Sequence, residues 1–168
     1  MPRQSGAVGA GTSMSWSAEP RSVRFAANHL LCTLDEHLMS AKGLVLVIDD
    51  DPSTQRLVER LLLDEGYDVE AADTIFVARQ LLMQVTPDVI LMDVELPDGN
   101  GLELTAWIKR NRRTELIPVI VLTSHTSLEN RVAAREAGCS GVMSKPIEPG
   151  RFVKRVEEYL AARKWSSP

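Results

Sequence analysis

Leu44-Val-Leu-Val-Ile-Asp-Asp-Asp-Pro-Ser53 is the stretch that decides the fold. Five consecutive apolar residues, three of them β-branched, read as a short buried strand. The run stops in three carboxylates. Pro52 follows, and it suits the first position of a helix, with Asp51 as the N-cap. The apolar positions Leu57, Val58, Leu61 and Leu62 then fall on one helical face, and Gly66 ends the helix.

Downstream, the same alternation repeats. Strands are predicted at 67–71, 88–92, 117–122 and 141–144, and helices over 74–85, from the loop at Pro97-Asp-Gly-Asn-Gly101 to near Arg113, over 128–137 and over 149–162. Phe152, Val153, Val156 and Leu160 mark the inward face of the last helix. Five strands alternating with five helices over residues 43–163 specify an α/β fold, a five-stranded parallel sheet with helices on both faces. Residues 164–168 read as a short tail.

Upstream, the first forty residues differ. Residues 1–20 hold Gly6, Gly9, Gly11 and several serines with little core-forming material, and they read as a disordered extension. No apolar segment follows Arg3 in the manner of a secretory signal. Residues 21–42 read as an amphipathic helix and linker, with Val23, Ala26 or Ala27, Leu30, Leu34 and Leu38 on one stripe. That helix is expected either to pack on the domain or to form a homodimer; alternatively, Met39 is the true start.

Composition narrows the class. The 168 residues carry 19 Lys and Arg against 23 Asp and Glu, and this mildly acidic balance argues against a nucleic-acid binder. Two cysteines, Cys32 and Cys139, exclude a disulfide scaffold and read as free thiols. No apolar run approaches the roughly 20 residues of a membrane span.

In a parallel sheet the site lies at the carboxyl ends of the strands. There the sequence places Asp49-Asp50-Asp51, Asp93, Thr123-Ser124 and Lys145-Pro146. Several carboxylates in one pocket repel each other and are tolerable only with a cation. Oxygen ligands suit a hard ion such as Mg²⁺, and no His or Cys stands there to favour zinc. Metal, ammonium and hydroxyl together match the charge of a transferring phosphoryl group. Asp93, alone at the central strand, is the candidate nucleophile, because a carboxylate can accept phosphate as an aspartyl phosphate. Asp49 and Asp50 are then metal-site residues.

These segments resemble the receiver domains of two-component response regulators. The resemblance rests on Val45-Leu-Val-Ile-Asp-Asp-Asp-Pro-Ser53, on Leu91-Met-Asp-Val-Glu-Leu-Pro-Asp-Gly-Asn-Gly-Leu102, on Val119-Ile-Val-Leu-Thr123 and on Ser144-Lys-Pro146, in that order. It covers residues 44–162 and implies a flavodoxin-like, receiver-type fold of the stand-alone kind. It also implies roles. Asp93 is like the phospho-acceptor, Asp50 like a direct Mg²⁺ ligand, and Asp49 like a ligand acting largely through metal-bound water. Asp93 also counts among the metal residues, and the backbone carbonyl of Glu95 is like the backbone metal ligand. Lys145 is like the phosphate-pairing lysine and Thr123 like the hydroxyl that grips the phosphate. The Lys145–Pro146 bond is expected to be cis. One position departs from the family: Val142 stands where an aromatic often does, so a signal is expected to leave through the loop after Thr123 and the helix at 128–137, or through backbone shifts.

The function implied is that of a phospho-accepting receiver, charged by a histidine kinase or phosphotransfer protein and read by a downstream protein. It would be cytoplasmic, without direct contact to nucleic acid or membrane, and not an enzyme beyond its own phosphorylation and dephosphorylation. The competing reading is a non-phosphorylated pseudo-receiver that works by binding alone. A haloacid-dehalogenase-like phosphatase would want an Asp where Glu95 stands. Other groups have plainer readings: Asp98 as a turn residue with Gly99, and Lys109, Arg110, Arg112 and Arg113 as cations at a helix C-terminus. His29, His37 and His125 show no ligand spacing, and Trp16, Trp107 and Trp165 carry no site signal.

Overall fold

The computed structural model describes residues 41–125 and 127–165. The expectations for residues 1–20, for the stripe at 22–38 and for the last three residues lie outside the described residues.

The described chain runs β1 (Leu44–Ile48), α1 (Pro52–Asp64), β2 (Asp68–Ala72), α2 (Ile75–Gln84) and β3 (Val89–Asp93). It continues with α3 (Gly101–Arg110), β4 (Val119–Thr123), α4 (Leu128–Glu136), β5 (Gly141–Ser144) and α5 (Pro149–Trp165). The five strands are parallel in the order β2-β1-β3-β4-β5. The register pairs Ile48 with Met92, Asp93 with Leu122 and Thr123 with Ser144, so the strand ends lie side by side.

Successive side chains in a strand face opposite ways, so each apolar run feeds two cores. Val45 and Val47 join Val89, Leu91, Ile120 and Leu122 against Val58 and Leu62 of α1 and Phe152 and Val156 of α5. Leu46 and Ile48 join Ile90, Met92 and Val119 against Ala78 and Leu82 of α2 and Leu104 and Ile108 of α3. This is why β1, β3 and β4 read as continuous rather than alternating hydrophobic runs, whereas β2 at the sheet edge alternates. Helix α4 is held lightly by comparison: Ala134 is its buried residue, while Leu128 and Val132 are exposed. Among the described residues no helix is long and apolar enough to cross a membrane.

Several elements differ from the sequence reading. The segment after Asp93 is not an open loop: Glu95–Leu96 and Gly99–Asn100 pair antiparallel around a two-residue turn. Helix α3 stops at Arg110 rather than near Arg113. Asn111 leaves the helical region (φ −96°, ψ 121°), and the Thr114 hydroxyl donates to the Ile108 carbonyl at 2.8 Å. The basic run there is not a plain cationic cap either. Lys109 Nζ donates to the carbonyls of Glu115 at 3.0 Å and Ile117 at 2.5 Å, closing the turn into β4. Strand β4 is shorter at its start than expected, beginning at Val119, and β2 is shifted by one residue.

Candidate functional site

Each site residue is carried to the top of the sheet by a different strand. Asp49 follows β1 directly and is fully buried. Its Oδ1 accepts the Asp51 N–H at 3.0 Å, its N–H donates to the Ala72 carbonyl at 3.0 Å, and its carbonyl accepts Gln55 Nε2 at 2.6 Å. Gln55 also donates to the Ala72 carbonyl at 3.0 Å, pinning the ends of β1 and β2 together. Nothing local in the sequence marks that role. Asp50 is exposed at the mouth. Asp51 caps α1, as expected: its carboxylate accepts the N–H groups of Ser53 and Thr54 at 3.0 and 3.1 Å and the Thr54 hydroxyl at 2.7 Å. Those bonds, led by Ser53, hold its carboxyl below the usual range.

Asp93 ends β3. Its Oδ1 accepts the Val94 N–H at 2.6 Å and the Glu95 N–H at 3.4 Å, which turns Oδ2 toward Lys145 Nζ at 2.5 Å. The hairpin behind it closes with the Gly101 N–H on the Val94 carbonyl at 2.8 Å. Gly101 is required there, because a Cβ would stand 1.9 Å from the Asp93 carbonyl oxygen.

Lys145 leaves β5, held by its N–H on the Thr123 carbonyl at 2.8 Å. The Lys145–Pro146 bond is cis, as the resemblance implied. Its ammonium reaches two carboxylates, Asp93 and Asp49 Oδ2, the latter at 2.7 Å. The second contact is a close ion pair, and it is made to a fully buried carboxylate. Burial pushes the Asp49 carboxyl upward, and the Asp93 charge adds to this against the pull of Lys145. Burial draws Lys145 downward, but Asp49 and Asp93 outweigh it and leave the ammonium above its ordinary value.

One oxygen from each of Asp49, Asp50 and Asp93 lies within 4.8 Å of the others. Three carboxylates and one ammonium leave a formal deficit of two positive charges. Three carboxylate oxygens so close together, with a negative deficit that one ammonium does not cancel, fit a hard divalent cation better than a proton. Glu95, exposed, stands in the hairpin two residues beyond Asp93, paired with Asn100.

Thr123 is near the group but not joined to it. Its hydroxyl oxygen accepts the His125 N–H at 3.0 Å and donates toward the His125 carbonyl at 3.3 Å. That carbonyl also accepts Asn130 Nδ2 from α4 at 3.0 Å. Val142 lines a cavity of about 500 Å³ on the β5 side, with Arg131, Pro146, Phe152 and Lys154. Asp49, Asp50 and Asp93 do not border it.

Known proteins resemble this chain in sequence and in fold. Residues 45–157 match the response regulator receiver domain family. The polar-differentiation response regulator DivK of Brucella ovis is 33% identical over 116 residues, 69% of this chain and 94% of that protein. The chemotaxis response regulator CheY4 of Vibrio cholerae superposes with a TM-score of 0.67 at 29% identity, covering 70% of this chain and 98% of its own. A CheY-like receiver domain protein from Methanospirillum hungatei gives 0.69 at 28% identity, covering 74% and 98%.

Proposed function

Because this chain belongs to the response regulator receiver domain family of two-component signalling, we propose that it accepts a phosphoryl group on Asp93 from a histidine kinase or phosphotransfer protein. The carrying observation is the cluster itself: three carboxylates and Lys145 meet at the carboxyl ends of β1, β3 and β5, with the ammonium paired to Asp49 and Asp93.

An Asp93 carboxylate oxygen attacks phosphorus. The O–P bond forms as the P–N bond to the donor histidine breaks, and the electron pair returns to the imidazole nitrogen. Lys145 orients Asp93 beforehand and pairs with the phosphoryl oxygens afterwards. Asp49, Asp50, Asp93 and the Glu95 carbonyl would hold Mg²⁺. When bound, Mg²⁺ offsets the charge that the phosphoryl oxygens bring. The reaction modifies the protein itself, so we place it outside turnover enzymes.

Thr123 then exchanges His125 for the phosphoryl oxygens, which frees the β4–α4 loop and α4 to present a surface to a downstream protein. We place these events in the cytoplasm, where ATP-charged kinases display their phosphohistidine. A second reading, a pseudo-receiver that binds without phosphorylation, draws on Val142 and on the engagement of Thr123 with His125.

Intact mass after incubation with acetyl phosphate and Mg²⁺ tests the proposal. One phosphoryl adduct is expected in wild type and none in Asp93→Asn. A folded wild type that takes Mg²⁺ and beryllofluoride but no phosphoryl favours fast hydrolysis. One that responds to neither favours the pseudo-receiver.

A further inference from the structure

Asp98 sits at the turn of the hairpin that follows Asp93, yet its bonds go elsewhere. Its two carboxylate oxygens accept the N–H groups of Ile75 at 2.8 Å and Phe76 at 2.9 Å, the first two residues of α2. Helix α2 already has its own cap, because Thr74 Oγ1 accepts the Val77 N–H at 3.3 Å. Asp98 therefore satisfies two further free N–H groups at a terminus where negative charge is favoured. Burial draws its carboxyl slightly upward, but those two bonds and the Arg79 charge hold it below the usual range, so it is ionised at neutral pH.

The hairpin gains more from this than the helix does. A two-stranded ribbon of two residues a side has little stability of its own. Its base is fixed by Gly101 against Val94, and its buried Leu96 joins the α2–α3 core. Gly99 also lies against Ile75, since a Cβ there would stand 2.9 Å from Ile75 Cδ1. Asp98 is the polar tie at the tip.

We propose that Asp98 is a positioning residue for cation binding: by tying the hairpin tip to the first turn of α2, it holds the Glu95 backbone in the orientation the acidic cluster uses. This rests on the reading of the cluster as a divalent-cation site. The same tie makes the α2 N-terminus respond to occupancy of the site.

The test is calorimetric titration of the full chain with MgCl₂, without phosphodonor, for wild type, Asp98→Ala, Asp98→Asn and Thr74→Ala. Asp98→Ala is expected to bind roughly tenfold more weakly, since it loses two charge-assisted bonds. Asp98→Asn, which keeps one acceptor oxygen, falls between. Thr74→Ala weakens the same helix end but leaves the hairpin tied, so its affinity stays at the wild-type value. In ¹⁵N spectra, Mg²⁺ with beryllofluoride should shift the Ile75 and Phe76 amides in wild type, and much less in Asp98→Ala. Equal affinity in wild type and Asp98→Ala would overturn the tie alone. Equal weakening in Asp98→Ala and Thr74→Ala would reduce Asp98 to a helix cap and overturn it as well. A wild type that takes no Mg²⁺ would overturn both the tie and the reading it rests on.

Discussion

Thr123 holds His125 by its backbone: one hydroxyl accepts the His125 N–H at 3.0 Å and lies 3.3 Å from the same residue's carbonyl. The carbonyl in turn accepts Asn130 Nδ2. A hydroxyl that turns to a phosphoryl group gives up this grip, so the site and α4 share one short chain of hydrogen bonds. Asn130→Ala cuts the far link. We expect amides 127–132 to exchange several-fold faster in the unphosphorylated protein, at a stability cost of about 1 kcal/mol. Acetyl phosphate labelling should be unchanged. Hydrogen exchange read by mass spectrometry checks this, and unaltered exchange would show that α4 is held by other contacts.

Burial makes the Asp49 charge costly. Its carboxyl is pushed above the 3.8 of the unfolded chain, chiefly by burial. A raised acid destabilises the fold above its folded value, and the loss is relieved as pH falls toward 3.8. Asp49→Asn keeps the acceptor for the Asp51 N–H and removes the charge. At pH 7 without divalent cation it should therefore be more stable, by about 1 kcal/mol. The stabilisation by Mg²⁺ should shrink with it. Thermal melts with EDTA and with MgCl₂ decide the matter, and a less stable Asp49→Asn in EDTA would contradict the argument.

Lys145 has the opposite sign. Its ammonium is held above the ordinary 10.5, so the stability it contributes is complete below that value and lost as pH rises through the folded one. Lys145→Ala strands Asp49 and Asp93, a loss of about 2–4 kcal/mol in the absence of cation. Mg²⁺ or Mn²⁺ should recover part of it, because either supplies the missing positive charge. Denaturant titrations with and without the ion measure the recovery. An identical deficit in both would mean the ion does not enter the cluster.

Gly101→Ala puts a methyl group 1.9 Å from the Asp93 carbonyl, and neither partner is a flexible side-chain end. The hairpin base must open. We expect a loss of about 2–3 kcal/mol and no phosphoryl adduct. Urea unfolding and intact mass provide the check, with Gly150→Ala as a control where nothing lies within 4 Å.

The sheet was legible because β1, β3 and β4 are continuous apolar runs that reach a polar residue at their carboxyl ends, and the site because a parallel sheet gathers those ends. Asp49, Asp93 and Lys145 needed no distance to be grouped. The contacts that organise their surroundings were not legible. Gln55 reaches Ala72 across 17 residues, and Asp98 reaches Ile75 and Phe76 across 23 and 22. Single polar side chains bonded to remote backbone leave no periodic trace. Lys109 was read as a helix-end cation, but its carbonyl partners lie in the turn beyond. The hairpin after Asp93 was hidden for another reason: two residues a side are too few for alternation to register.

Asp93 and its lysine are 52 residues apart in the chain. At ribosomal speeds of about 5–20 residues per second, the acceptor is made roughly 3–10 s before the side chain that pairs with it. During that interval a nascent chain displays the aspartate without the strand that carries the ammonium. On the proposed reading, charging of Asp93 therefore waits for the strand that brings Lys145 to it.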